Sequence, residues 1–101
     1  MQLKAGSRWR SAVCDTEVII VRAPTGDADL RCGGEPVVPL DAERTGGEIA
    51  PGHDGGTLLG KRYASEDAGL EVLCTKAGKG ALSLAGVLLP VKEAKPLPSS
   101  D

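Results

Sequence analysis

Apolar and polar positions along this chain follow the short period of strands and nowhere sustain a helical one. The strongest strand signal is Thr16-Glu17-Val18-Ile19-Ile20-Val21-Arg22, rich in β-branched residues that suit a pleated backbone. It runs into Pro24-Thr25-Gly26-Asp27, where Pro presets φ and Gly supplies a positive φ. Residues 28–32 are then expected to return beside it as a hairpin partner. Val37-Val38-Pro39-Leu40 reads as an edge strand, because its Pro cannot donate to an interior ladder. Strand signals resume over 70–76, 81–84 and 87–92, with Gly78-Lys79-Gly80 as the turn between the first two. Ser65-Glu66-Asp67-Ala68 suits a single helical turn with Ser65 as its cap. The segment 41–57 holds Gly46-Gly47, Pro51-Gly52 and Gly55-Gly56 and reads as a long linking loop. Alternating Pro in 95–101 predicts an extended polar tail.

The pattern repeats. Laying Gly6 on Gly60 brings Arg8 onto Arg62, Trp9 onto Tyr63 and Ser11 onto Ser65. Further along, Glu17 meets Glu71, Val18 meets Val72, Ile19 meets Leu73 and Arg22 meets Lys76. Ala23 then falls on Ala77, Gly26 on Gly80 and Leu30 on Leu84. With a small deletion, Val37-Val38-Pro39-Leu40 falls on Leu88-Leu89-Pro90-Val91. A self-match at fixed displacement is the mark of an internal repeat. The plainer explanation, coincidence among Gly-rich hairpins, does not account for the two aromatics sharing one position. The predicted organisation is a first repeat over 1–40, a linker over 41–57, a second repeat over 58–93 and a tail over 94–101. Units this small bury too little surface to stand alone easily. The expected fold is therefore all-β, two tandem hairpin lobes packed with pseudo-two-fold symmetry. Glu17 and Glu71 are expected to pair with the repeat-equivalent Arg8 and Arg62.

The repeat resembles the desulforedoxin-type, rubredoxin-like domain also found at the N-terminus of some superoxide reductases. In the first half the resemblance rests on Gly6, Trp9, Ser11-Ala12-Val13-Cys14-Asp15, Val18-Ile19-Ile20-Val21, Gly26 and Leu30-Arg31-Cys32-Gly33. In the second it rests on Gly60, Tyr63, Glu66-Asp67-Ala68-Gly69, Val72, Gly78-Lys79-Gly80 and Leu82-Ser83-Leu84-Ala85-Gly86. The resemblance implies a fold built around a metal knuckle, with iron held by four thiolates per unit, and two-fold pairing of units. The first half keeps two of those ligands, Cys14 and Cys32, with Ser11 and Arg31 standing where the others belong. The second half keeps none.

Composition narrows the function without naming it. The chain has 101 residues, 41% hydrophobic and 26% charged, which is globular material for one small domain or two half-domains sharing a core. It contains no Phe, one Trp and one Tyr, so aromatic burial contributes little. The formal charge of −2 excludes an electrostatic case for nucleic acid or an anionic membrane. Residues 1–10 hold no apolar stretch fit for a signal peptide, and the apolar runs at 18–21 and 87–91 are far too short for a span. The expectation is a cytoplasmic, soluble protein with reduced thiols.

Candidate chemistry centres on Cys14, Cys32, Cys74 and His53. Cys and His ligands suit iron or zinc. Ligands paired at short spacing, the usual signature of such a site, are missing. The expectation is therefore no bound cofactor. Iron or zinc at Cys14 and Cys32, completed by Cys74 or His53, is the alternative. Cys74, set mid-strand, reads equally well as a small core residue. A Cys14–Cys32 disulfide or redox pair is disfavoured in a reducing compartment. One His excludes most general-base and triad arrangements, so no catalytic set emerges. Gly78-Lys79-Gly80 and Gly55-Gly56-Thr57 open no helix and match no phosphate loop. What remains is a non-catalytic accessory or protein-interaction module, partnered by another protein or by its own copies. A single-site iron or zinc protein with an electron-transfer or structural role is the runner-up.

Overall fold

The computed structural model describes residues 2–43 and 46–92; the expected tail lies outside them. The fold is all-β, as the patterning requires, in two antiparallel sheets. The strands are β1 (Arg8–Arg10), β2 (Glu17–Arg22), β3 (Leu30–Cys32), β4 (Glu35–Pro36), β5 (Val38–Pro39), β6 (Arg62–Ser65), β7 (Leu70–Lys76), β8 (Leu82–Leu84) and β9 (Val87–Leu88). One sheet runs β5-β1-β2-β7-β6 and the other β4-β3-β8-β9.

The expected hairpin between the strong strand and residues 28–32 does not form. β2 pairs with β1 on one side and β7 on the other. β3 joins the other sheet, between β4 and β8. Both edges of β2 are thus filled, and the connection over 23–29 is long enough to cross from sheet to sheet rather than to turn back. β5 does occupy an edge, consistent with its Pro39.

The two ladders joining the halves are reciprocal. Along β2 and β7, Ile19 faces Leu73, Val18 faces Cys74 and Ile20 faces Val72. Glu17 faces Lys76 as Arg22 faces Glu71. Along β3 and β8, Arg31 faces Ser83, with Leu30 opposite Leu84 and Cys32 opposite Leu82. The counterpart of Leu30 is Leu82, since Val37 N–H donates to Leu30 O as Leu89 N–H donates to Leu82 O, at 3.1 and 2.9 Å; the sequence register of Leu30 on Leu84 and Val37 on Leu88 is therefore shifted here. Local hydrogen bonds match as well: Gly6 N–H donates to Ile20 O as Gly60 N–H donates to Cys74 O, at 2.7 and 2.9 Å. The hairpins β3–β4 and β8–β9 turn through Gly33-Gly34 and Ala85-Gly86, all with positive φ. Two-residue turns of this hand suit Gly, and Ala85 at φ 51° is strained there.

Both sheets feed one core. Alternate residues Val18 and Ile20 of β2 and Leu70, Val72 and Cys74 of β7 are buried, as are Leu30 and Cys32 of β3 and Leu82 of β8. Tyr63 joins them, and its hydroxyl accepts the Leu58 N–H at 2.9 Å.

One charge is buried beside this core. Glu71 is only 8% exposed at its side chain and receives Lys92 Nζ at 2.6 Å and Arg62 Nη1 at 3.2 Å. The expected Glu71–Arg62 pair is thus present, whereas Glu17 lies 3.8 Å from Lys76. The Lys92 hydrogen bond, above all, holds the Glu71 carboxyl below its ordinary value, helped by Arg62 and opposed by burial. A depressed folded pKa means that this stabilisation is complete above the unfolded carboxylate pKa. It is lost as the pH falls through the folded value. Replacing both cations, Arg62→Met with Lys92→Met, strands a buried carboxylate and should cost about 3 kcal/mol. Glu71→Gln should cost about 1 kcal/mol, since the half-exposed cations rehydrate, and should flatten the acid dependence. Urea unfolding at neutral and acid pH reads both; equal losses at neutral pH would contradict the asymmetry.

Candidate functional site

Cys14 and Cys32 meet. Cys14 lies on the knuckle between β1 and β2, and Cys32 ends β3 in the other sheet. Their sulfurs are 3.9 Å apart, and neither is bridged. Cys32 is fully buried and Cys14 partly exposed.

The knuckle is shaped by a hydroxyl. Ser11 Oγ accepts the N–H groups of Val13 and Cys14, both at 3.1 Å. Ser65 Oγ accepts the Ala68 N–H at 3.4 Å at the matching place in the second half. A short side-chain acceptor closing a tight turn onto its own backbone is what Ser does well.

The rest of the site comes from the second half and from the segment expected as a linker. Gly80 N–H donates to Cys14 Sγ at 3.4 Å, and Thr16 Oγ1 lies 3.3 Å from the same sulfur. Thr57 clamps the glycine turn from outside: its N–H donates to Gly78 O at 2.9 Å and its hydroxyl to Gly80 O at 2.5 Å. The 41–57 segment is stitched down elsewhere too. Gly46 N–H donates to Ala12 O at 2.9 Å, Ala50 N–H to Gly33 O at 2.8 Å, and Ala81 N–H to His53 O at 2.8 Å. It packs beside the turn that follows Cys32, with Ile49 against Gly33 and Ala50 against Gly34.

These surroundings separate the two thiols. Burial pushes Cys14 upward, but hydrogen bonds from the Ser11 and Thr16 hydroxyls and from the Thr16 and Gly80 N–H groups outweigh it and hold the thiol at about 7. Burial, reinforced by the charge of Cys14, pushes Cys32 up to about 12. Cys14 is thus the more readily ionised thiol of the two.

The other two candidates stand apart from the pair. Cys74 is a core residue on β7 whose sulfur donates to Lys76 O at 3.1 Å, and burial pushes its thiol up. His53 packs by Gly34, and its buried Nδ1 makes no hydrogen bond with another described residue. Among the described residues, no three His, Cys, Asp or Glu side chains converge as a metal site would require.

The four-thiolate iron set implied by the resemblance does not fit these residues. Two thiolates on a tetrahedral ion with bonds of about 2.3 Å sit roughly 3.8 Å apart, so Cys14 and Cys32 could occupy two corners. The remaining positions hold a neutral hydroxyl, Ser11, and a cationic guanidinium, Arg31. Ser11 is committed to backbone N–H groups, and Arg31 turns away to Asp29 Oδ1 at 2.9 Å and Gly34 O at 3.2 Å.

Sequence reasoning found the cysteine pair but missed Thr16, Thr57, Gly78 and Gly80, which surround it. The alignment of Ser11 with Ser65 was the signal for the knuckle; Thr57 left none. No family model, curated protein or solved structure matches this chain. No helix among the described residues is long and apolar enough to cross a membrane.

Proposed function

We propose that the chain is a ligand-depleted, duplicated desulforedoxin-like module that docks onto another protein and catalyses nothing itself. The reciprocal ladders and the paired Ser11 and Ser65 turns support the duplicated reading. One observation carries the docking: exposed positions that correspond between the halves differ in character. β4 presents Glu35 and Pro36, while the matching β9 presents Val87 and Leu88, which are 69% and 50% exposed. Before β1 stand Lys4 and Ala5, while before β6 stand Leu58 and Leu59, 59% and 66% exposed. Equivalent backbones with unequal surfaces mean that solvent alone did not select the apolar set.

The occupant that fits is an extended apolar segment of a partner protein carrying basic residues. β9 ends its sheet, so its outer edge accepts another strand. A groove of about 320 Å³ is lined by Val87, Leu88 and Pro90 together with Glu66 and Asp67. Those carboxylates favour lysine or arginine in the guest.

A lysine–valine alternating peptide, titrated into labelled protein, should shift the amide resonances of residues 65–67 and 87–91. Its glutamate–valine counterpart should not. Val87→Asp with Leu88→Asp should abolish the shifts while leaving the fold intact, because both residues are exposed. Absence of shifts at those amides, or concentration-dependent self-association through them, would overturn this reading.

A further inference from the structure

The cysteine pair offers chemistry that an iron-binding or docking role does not use. Its two sulfurs come from different sheets, and they lie 3.9 Å apart with no bridge between them. Their surroundings differ in access. Cys14 is partly exposed, on a turn just ahead of β2, whereas Cys32 has no exposed surface. The space around Cys14 is held open for sulfur by two glycines. A Cβ on either Gly78 or Gly80 would come within 3.1 Å of Cys14 Sγ. The Gly80 N–H is aimed there at 3.4 Å, and the Cys14 thiol donates to Thr16 Oγ1 at 3.3 Å. A partly exposed cysteine backed at 3.9 Å by a second, sheltered sulfur has the layout of an attacking and a resolving thiol.

We propose that Cys14 and Cys32 are a reversible dithiol–disulfide pair that a hydroperoxide closes, with Cys14 attacking and Cys32 resolving. In the first step the Cys14 thiolate attacks the peroxide oxygen. The O–O bond breaks, an S–O bond forms, and the departing alkoxide or hydroxide takes a proton from water. Cys14 is then a sulfenic acid. In the second step the Cys32 sulfur attacks the Cys14 sulfur. The S–O bond breaks, the S–S bond forms, and the Cys32 proton leaves with the oxygen as water. Two thiols lose two electrons in total, and the peroxide gains them. A small dithiol returns the pair to the reduced state by exchange. The sulfurs need to close from 3.9 Å to about 2.05 Å, within reach of small side-chain rotations.

Closure has a structural consequence. The new bond staples the knuckle of the five-stranded sheet to a central strand of the four-stranded one. It also removes the thiolate that receives the Gly80 N–H, so the turn clamped by Thr57 loses one of its anchors. This proposal is independent of the docking edge at β9 and stands or falls separately.

The test uses the whole chain, reduced and then treated with one equivalent of hydrogen peroxide. The expected product is a monomer lighter by two hydrogens. Peptide mapping should join Cys14 to Cys32, Cys74 should stay alkylatable, and dithiothreitol should restore both thiols. In Cys32→Ser, dimedone should label Cys14 as a trapped sulfenic acid; in Cys14→Ser, peroxide consumption should fall at least tenfold. A bond that includes Cys74, or oxidation of Cys14 beyond sulfenic acid in the wild type, would overturn the proposal. So would zinc held stoichiometrically by both sulfurs and protecting them from peroxide. If the serine variants fail to fold, the mapped disulfide and its reversal in the wild type decide the matter alone.

Discussion

Gly78→Ala should cost about 3 kcal/mol, the upper range for forcing a methyl group into packed structure. The added Cβ would stand 2.5 Å from Thr16 N, closer still to Thr16 Oγ1, and 3.1 Å from Cys14 Sγ. None of these atoms can retreat easily. Thr16 is 1% exposed, and its carbonyl accepts the Ser11 N–H at 2.8 Å, which closes the knuckle. Gly78 itself is held from the other side by Thr57 through two backbone hydrogen bonds, at 2.9 and 3.2 Å. The strain has two places to go, into the knuckle or into the glycine turn, and both carry the cysteine site. Gly6→Ala is the comparison. A Cβ there meets nothing within 4 Å, and the cost is that of a left-handed backbone alone, about 1 kcal/mol. Chemical denaturation of the two variants should separate them clearly. A Gly78→Ala protein as stable as the Gly6→Ala one would mean that the turn does not rest on Thr16.

Leu30→Ala should cost a similar amount, about 3 kcal/mol, for a different reason. Leu30 has no exposed surface and is the first residue of β3, set among core residues from both sheets. Truncation removes apolar contacts and leaves a cavity that flanking strands cannot fill without giving up ladder hydrogen bonds. Against a total stability of roughly 5–15 kcal/mol for a small domain, the loss is large. It should lower the melting midpoint by about 15 °C. Val87→Ala, on the exposed β9, should change stability by less than about 0.5 kcal/mol. If Leu30→Ala proved equally mild, the two sheets would not share a core through that position.

How far these features could be read beforehand varies along the chain. The segment Glu17–Arg22 announced itself by β-branched residues, and Leu70–Lys76 by its own strand signal. The proximity of Cys14 and Cys32 was also accessible, although they meet between the two sheets and not at two turns of one sheet as the pattern suggested. The partners of β2 and β3 were not. A two-residue period tells which face of a strand is buried but not which strand lies beside it. Short connections favour the neighbour in sequence, and here the long 23–29 segment escapes that preference. That Ser11 and Arg31 stand where the resemblance would put thiolates was legible; the hydrogen bonds those side chains make instead were not. Thr57 went unnoticed because a lone threonine in a Gly-rich loop carries no pattern.

The sequence by itself determined what is local: the all-β character, the strands rich in Val, Ile and Leu, and the turns that need Gly. The tertiary structure alone decided what depends on distant segments meeting. It set β2 against β7 and β3 against β8, buried Glu71 between two cations, and tied Ala50 to Gly33 and Thr57 to Gly78 beside the cysteines. It also aimed Gly80 and Thr16 at Cys14. Local preferences act through backbone dihedrals and side-chain periodicity, which neighbouring residues set. Pairing, burial and thiol reactivity arise from contacts made only once the whole chain has collapsed, and the chain's order leaves these undetermined.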